Sequence, residues 1–158
     1  MEAPANALNI DNEFLQMAAD RFGMPPEVLQ AYRFFEPGGG KLYLVNHDHQ
    51  PLAAPPPDAS GMLFMRTRVR YPKLTTAAAL LLGHAAAQNY VDVDDRQFNA
   101  YIGRQEFAVS AEQSRDCTGV GYVLIRYRGY VVGVGVFYPR ENGGVIESMF
   151  PKGWSPVK

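Results

Sequence analysis

Residues 120–138 read VGYVLIRYRGYVVGVGVFY, and this stretch decides how the chain folds. Two runs of β-branched and aromatic residues flank Arg128-Gly129, where a glycine allows the positive φ angle of a two-residue turn. We therefore predict a β-hairpin. Its register puts one apolar face on a core, formed by the pairs Tyr127–Tyr130, Ile125–Val132 and Val123–Val134.

The opposite face of this hairpin carries Arg126 with Val131, Leu124 with Gly133, and Tyr122 with Gly135. Two glycines spaced two residues apart leave bare backbone that another group can approach closely. The simpler interpretation is a neighbouring element packed over the glycines. The alternative is a docking surface for a ligand.

The totals describe an ordinary globular protein of 158 residues, with 47% hydrophobic and 20% charged side chains. The length fits one domain, or one domain with a small appendage. No apolar run approaches the roughly 20 residues of a membrane span, and the first residues lack the features of a signal peptide. Cys117 is the only cysteine, which excludes an internal disulfide and favours a reducing compartment. We therefore expect a cytoplasmic protein without membrane contact.

Charge is distributed unevenly along the chain. Residues 1–60 carry three basic and eight acidic side chains, a balance of −5, whereas residues 61–158 carry twelve and eight, a balance of +4. A polyanion would therefore meet the C-terminal part.

Residues 1–60 are predicted to form a small α/β segment. Helical spacing of apolar residues favours a helix over 11–22, Pro25-Pro26 suit the start of a second one through about residue 32, and 41–45 is a short strand. The proline-rich stretch 46–60 is typical of a stiff linker, so we place the domain boundary there, between 1–60 and 61–158.

Residues 61–158 alternate short strands with two helices. Strands are predicted at 62–70, 90–93, 106–109 and 145–149 besides the hairpin, with helices at 77–88 and 96–102. Thr75 or Thr76 would cap the first helix. The fold class is therefore α+β: a small N-terminal α/β segment followed by a mixed β sheet curled into a pseudo-barrel with two helices.

Several motifs of residues 62–154 occur in the order of a known family. They are Lys73-x-Thr75, an alanine-leucine helix ending at Leu82-Gly83, Asn89-x-Val91, the hairpin, and Phe150-Pro151-Lys152-Gly153. Together they resemble the PUA-like RNA-binding domain at the C-terminus of Sun-type RNA cytosine-5 methyltransferases. The resemblance implies a pseudo-barrel that binds structured RNA, with residues 1–60 as the small domain that often precedes it. Ile146-Glu147-Ser148 departs from it where relatives carry a basic residue, and the catalytic half is absent.

Candidate RNA-binding residues cluster after residue 62. Three arginines at a spacing of two would project from one face of the strand at 62–70, with an aromatic residue and a lysine at its end; arginine binds phosphate bidentately and tyrosine stacks on bases. The alternative is a solvated strand face. Lys152 with Trp154, and the hairpin-tip pair Arg126 and Arg128, are further candidates. The complete set is Arg66, Arg68, Arg70, Tyr71, Lys73, Thr75, Arg126, Arg128, Lys152 and Trp154.

No catalytic residue, metal site or cofactor is predicted. His47-Asp48-His49 offers too few ligands for a metal site, and the carboxylate beside Cys117 argues against a thiolate nucleophile. We therefore predict a non-catalytic protein that binds ribosomal or transfer RNA. One alternative is the RNA-targeting subunit of an RNA methyltransferase whose catalytic chain is separate, which would make an RNA-modifying enzyme a second partner. The other is a protein-interaction module using Gly133, Gly135 and the hairpin edge.

Overall fold

The computed structural model describes residues 7–8, 13–50, 60–71 and 73–157. Along the chain the elements are β1 (Ala7–Leu8), α1 (Glu13–Phe22), α2 (Pro26–Gln30), β2 (Tyr32–Gly38), β3 (Lys41–Asn46), β4 (Met62–Arg66), β5 (Lys73–Leu74), α3 (Thr76–Leu82), β6 (Tyr90–Val93), α4 (Asp95–Ile102), β7 (Phe107–Val109), β8 (Gly121–Tyr127), β9 (Tyr130–Arg140) and β10 (Gly143–Ser148). Single 3-10 turns lie at Gly83–Ala85 and Lys152–Trp154.

The strands form two sheets of five. The first is antiparallel in the order β1-β2-β3-β4-β5, and the second has the order β6-β8-β9-β10-β7, in which only β6 and β8 run parallel. One of the two sheets curls like a half-barrel, and the predicted α+β class is confirmed. Across the described residues, every helix is too short or too polar to cross a membrane.

Strand β8 separates two hydrophobic cores, because its successive side chains point to opposite faces. Leu124 joins α1, α3 and the first sheet, whereas Val123 and Ile125 pack with α4 and β7. The central hairpin is therefore buried on both faces.

The register predicted for the hairpin is only partly correct. Tyr127 pairs with Tyr130 and Arg126 with Val131, as predicted, but a β-bulge then shifts the ladder by one residue. Ile125 consequently pairs with Gly133 and Val123 with Gly135. The six residues predicted to share one face are thereby divided, since Val134 enters the first core and Tyr130 is 76% exposed.

The bare backbone at Gly133 and Gly135 is covered from within the protein. The Tyr101 hydroxyl of α4 lies over Gly133 and donates a hydrogen bond to the Val134 carbonyl at 3.0 Å. Gly135 lies against Ile146. Both glycines are buried. The packing interpretation is confirmed, and the docking surface predicted as its alternative is wrong.

Two predicted elements are too long. The strand at 62–70 ends at Arg66, because its partner β3 begins at Lys41 and the chain before Lys41 turns away at Gly38–Gly40. The helix at 77–88 ends at Leu82, after which Ala87 donates a backbone hydrogen bond to Phe22 of α1.

Three strands were missed, β1, β2 and β5. Two of them, β1 and β5, have only two residues each, and in β2 the two central phenylalanines stand between a short helix and Pro37-Gly38. The predicted linker at 46–60 lies mostly outside the described residues, as do the first two residues of the helix predicted at 11–22. Strands β3 and β4 pair directly on either side of that stretch, so the first sheet includes residues from both predicted domains.

Candidate nucleic-acid interface

A row of three basic residues crosses the first sheet. Lys41 of β3 stands opposite Arg66 of β4, and Arg66 stands opposite Lys73 of β5. Residues directly opposite in antiparallel strands share a face, and like charges in such pairs are destabilising. We call Lys41, Arg66 and Lys73 the basic row. The basic row therefore concentrates three positive charges without stabilising the sheet through its own pairs.

The basic row opens into a concave pocket of about 280 Å³. Arg66 and Lys73 form one wall, the start of α3 a second, and residues 149–151 a third, with Arg104 completing the rim. We call this cavity the basic pocket. It joins two regions predicted separately from the sequence, the strand at 62–70 and the C-terminal motif Phe150-Pro151-Lys152-Gly153, of which Arg66, Phe150 and Pro151 line the pocket.

Arg104 was missed by the sequence analysis. It follows the end of α4, has a positive φ of 60°, and donates a hydrogen bond from its guanidinium to the Phe150 carbonyl. It is distant in sequence from Arg66 and Lys73, and no local pattern distinguishes it from an ordinary exposed arginine. The only sequence feature that distinguishes Arg104 is its position directly after Gly103, at the end of a helix.

Lys73 is the least exposed of the three cations that line the basic pocket. Its ammonium lies 3.6 Å from the Met149 sulfur and 5.9 Å from the centre of the Tyr122 ring. Partial burial lowers its pKa, and the charges of Arg66 and Arg104 lower it further, while Glu147 opposes them. The folded state therefore holds this proton less tightly than the unfolded chain. The charged lysine thus costs stability at neutral pH, a cost that disappears as pH rises through the lowered pKa.

We therefore expect Lys73→Met to keep the thermal midpoint unchanged or to raise it by up to about 3 °C at pH 7. Methionine keeps the long apolar stem beside Met149 and Tyr122 and removes the crowded charge. Thermal unfolding followed by circular dichroism measures the change. Lys41→Met, at an exposed position of the same row, is the matched control and should give no gain. A clear loss of stability in Lys73→Met alone would show that the ammonium supports the fold.

The other predicted residues of this segment do not share a strand face with Arg66. Arg68 packs its stem over Gly40, and the Arg70 guanidinium lies 5.4 Å from the centre of the Tyr71 ring. Arg68, Arg70 and Tyr71 all lie in the bend after β4 and are exposed. They border the region of the basic row rather than lining the basic pocket.

The hairpin-tip arginines are neutralised. Arg126 binds Asp92 through two hydrogen bonds of 2.8 and 2.6 Å and lies 3.7 Å above the Tyr90 ring. The hydrogen bond to Asp92 raises the pKa of Arg126. Arg128 forms an ion pair with Asp95 at 3.3 Å. The tip is also remote, because four residues of β8, roughly 13 Å, separate Arg126 from Tyr122 beside Lys73.

The C-terminal segment follows the wall of the basic pocket. Phe150 packs edge-on against Tyr101 at 5.4 Å, and Trp154 packs edge-on against Phe150 at 6.4 Å. Trp154 nevertheless remains 59% exposed, and Lys152 is exposed beside it. The indole is thus anchored at one edge and open to a stacking partner.

Thr75 lines the basic pocket, but its hydroxyl already serves the fold. It donates to the Leu63 carbonyl at 2.6 Å and accepts from the Ala78 amide at 3.1 Å. The predicted cap of α3 is confirmed, and Thr75 positions the pocket wall.

Cys117 is a poor nucleophile, since burial raises the pKa of its thiol to about 11.

Comparison with known proteins finds no matching family model and no matching curated protein. Within the described part of the chain, no three histidine, cysteine or acidic side chains are grouped as metal ligands. The assignment of a function therefore rests on the geometry of the basic pocket.

Proposed function

We propose that this chain is a non-catalytic RNA-binding protein that recognises structured RNA, either ribosomal or transfer RNA, in the cytoplasm. The observation that carries the proposal is the convergence of Arg66, Lys73 and Arg104 on one concave pocket. Among the described residues, none of the three forms an ion pair with a carboxylate. Three unneutralised cations at one cavity match the phosphates of a nucleic acid.

Two exposed aromatic residues lie close in sequence to residues that line the basic pocket. Tyr71 follows the β4 bend and Trp154 follows the Phe150 wall, with exposed fractions of 38% and 59%. Bases that are not stacked in a duplex bind such rings, and folded RNA offers them in loops, bulges and ends. Phosphate contact at the centre and base stacking at the borders together favour RNA over a simple anion.

The order of motifs from Lys73 to Gly153 supports the same proposal, since it resembles the PUA-like domain of Sun-type RNA methyltransferases. By that resemblance the partner is ribosomal or transfer RNA, and an RNA-modifying enzyme would be a second partner. In the part of the chain that the structure describes, Arg66 forms no ion pair, unlike the arginines of the hairpin tip.

Replacing one pocket arginine tests the proposal against a matched tip arginine. We expect Arg66→Gln to weaken binding of a fluorescent transfer RNA about five- to tenfold and to reduce the salt slope by about one. Arg128→Gln removes the same charge but should change the affinity less than about twofold, because Asp95 already neutralises it. Anisotropy titrations at several salt concentrations measure both. Equal losses in the two variants would contradict a site at the basic pocket.

A further inference from the structure

A second cavity, of about 410 Å³, lies beside the basic pocket between α1, β5 and the start of β8. Its walls are mainly apolar, and Met17 and Val120, both more than 40% exposed, form part of them. Tyr71 and Tyr122 supply aromatic surface. We call this cavity the apolar pocket.

The two pockets are neighbours. Leu74 lines both of them, on the two-residue strand whose other residue is Lys73. The Lys73 ammonium is 5.9 Å from the centre of the Tyr122 ring, which belongs to the apolar pocket. The cation of one pocket and the aromatic wall of the other are therefore close enough to contact two parts of one ligand.

One wall of the apolar pocket carries a donor that the fold does not use. Arg21 donates from Nε to the Tyr122 carbonyl at 3.0 Å and from Nη1 to Thr118. Its Nη2 is buried and has no hydrogen-bond partner among the described residues. A buried donor left unpaired is costly. Gly121 of the same wall lies against Nη2, so a carbonyl or ring nitrogen of a ligand would pair with this donor once Gly121 moves aside.

We propose that the apolar pocket receives one unstacked nucleobase of the RNA whose phosphate is held in the basic pocket. This inference rests on the proposed function. Aromatic rings and apolar side chains contact the faces of a base, a free guanidinium donor reads its edge, and the adjacent cations bind the attached phosphate. An apolar protein side chain would need neither the donor nor the cations.

The test uses the full chain and small probes. Amide chemical shifts are recorded during titration with uridine 5′-monophosphate, adenosine 5′-monophosphate and ribose 5-phosphate. We expect all three to shift Lys73 and Thr75, and only the two nucleotides to shift Ala18, Phe22 and Tyr122 of the apolar pocket. If nucleotides and ribose 5-phosphate shift the same basic-pocket amides alone, the base site is wrong while phosphate binding stands. If none of the probes binds and transfer RNA does not bind either, the proposed function fails as well.

A pocket-filling variant gives a second, independent measurement. Met17→Trp should fill the opening of the apolar pocket and weaken nucleotide binding at least about fivefold, while the affinity for ribose 5-phosphate stays unchanged. Leu80→Trp is the matched control, since Leu80 of α3 is 48% exposed, against 47% for Met17, and does not line either pocket. Equal nucleotide affinities in the two variants would overturn the base site.

Discussion

The combined variant Arg66→Gln, Lys73→Gln and Arg104→Gln should bind structured RNA about 100-fold more weakly than the parent chain at low salt. Each cation in contact with a phosphate displaces condensed counterions, so its removal flattens the dependence of affinity on salt. Three lost contacts should lower the slope of log K against log salt by about two to three. At roughly 1.4 kcal/mol per tenfold change, about 1 kcal/mol for each contact accounts for the loss.

The chain offers a control with an identical change in net charge. Arg115, Arg126 and Arg128 are each ion-paired, with Asp116, Asp92 and Asp95. Their combined replacement by glutamine should weaken RNA binding by no more than about threefold, since exposed paired cations add little. Filter binding from low to moderate salt measures both variants, with thermal unfolding to confirm that each is folded. Equal losses of RNA affinity in the two variants would mean that only the total charge matters. An unchanged affinity in the pocket variant would show that RNA does not bind at the basic pocket.

Gly133→Ala should reduce the free energy of unfolding by about 2–4 kcal/mol. A Cβ atom at Gly133 would lie 2.1 Å from the Tyr101 hydroxyl oxygen, and the residue has a φ of 154°, which side chains other than glycine rarely adopt. Tyr101 is fully buried, and its hydroxyl is bonded to the Val134 carbonyl. The ring therefore has no free space into which it could move, and either α4 or the bulge must shift.

Urea unfolding measures this change, with two comparisons. Gly153→Ala should be near neutral, because nothing lies within 4 Å of the added Cβ atom and no positive φ is involved. Tyr101→Phe should recover part of the loss when combined with Gly133→Ala, since it removes the closest atom. A neutral Gly133→Ala would show that Tyr101 does not hold α4 against the sheet.

Features set by local sequence could be predicted. The helix predicted at 96–102 is α4, which Asp94 caps through a reciprocal capping box with Gln97. Strand β6 occupies residues 90–93 as predicted. Each of these depends on hydrogen bonds within a few residues, so the sequence around it carries the information.

Features that depend on contacts between residues distant in sequence could not be predicted. The basic row depends on pairing between β3 and β4, which lie on either side of a proline-rich stretch taken as a domain boundary, so Lys41 was not recognised. Arg104 follows α4, which packs on the second sheet, whereas Arg66 and Lys73 belong to the first sheet. The bulge lies next to Gly133, against which Tyr101 of α4 packs, and no pattern within the hairpin reveals either feature.

Ultraviolet crosslinking of the full chain to RNA retained through purification, followed by mass spectrometry of the linked peptides, tests the central claim most directly. The account predicts crosslinks at Tyr71 to Lys73 and at Phe150 to Trp154, the segments that border the basic pocket. Crosslinks confined to residues 126–130 of the hairpin tip, or a chain that retains no RNA and crosslinks to none, would contradict it.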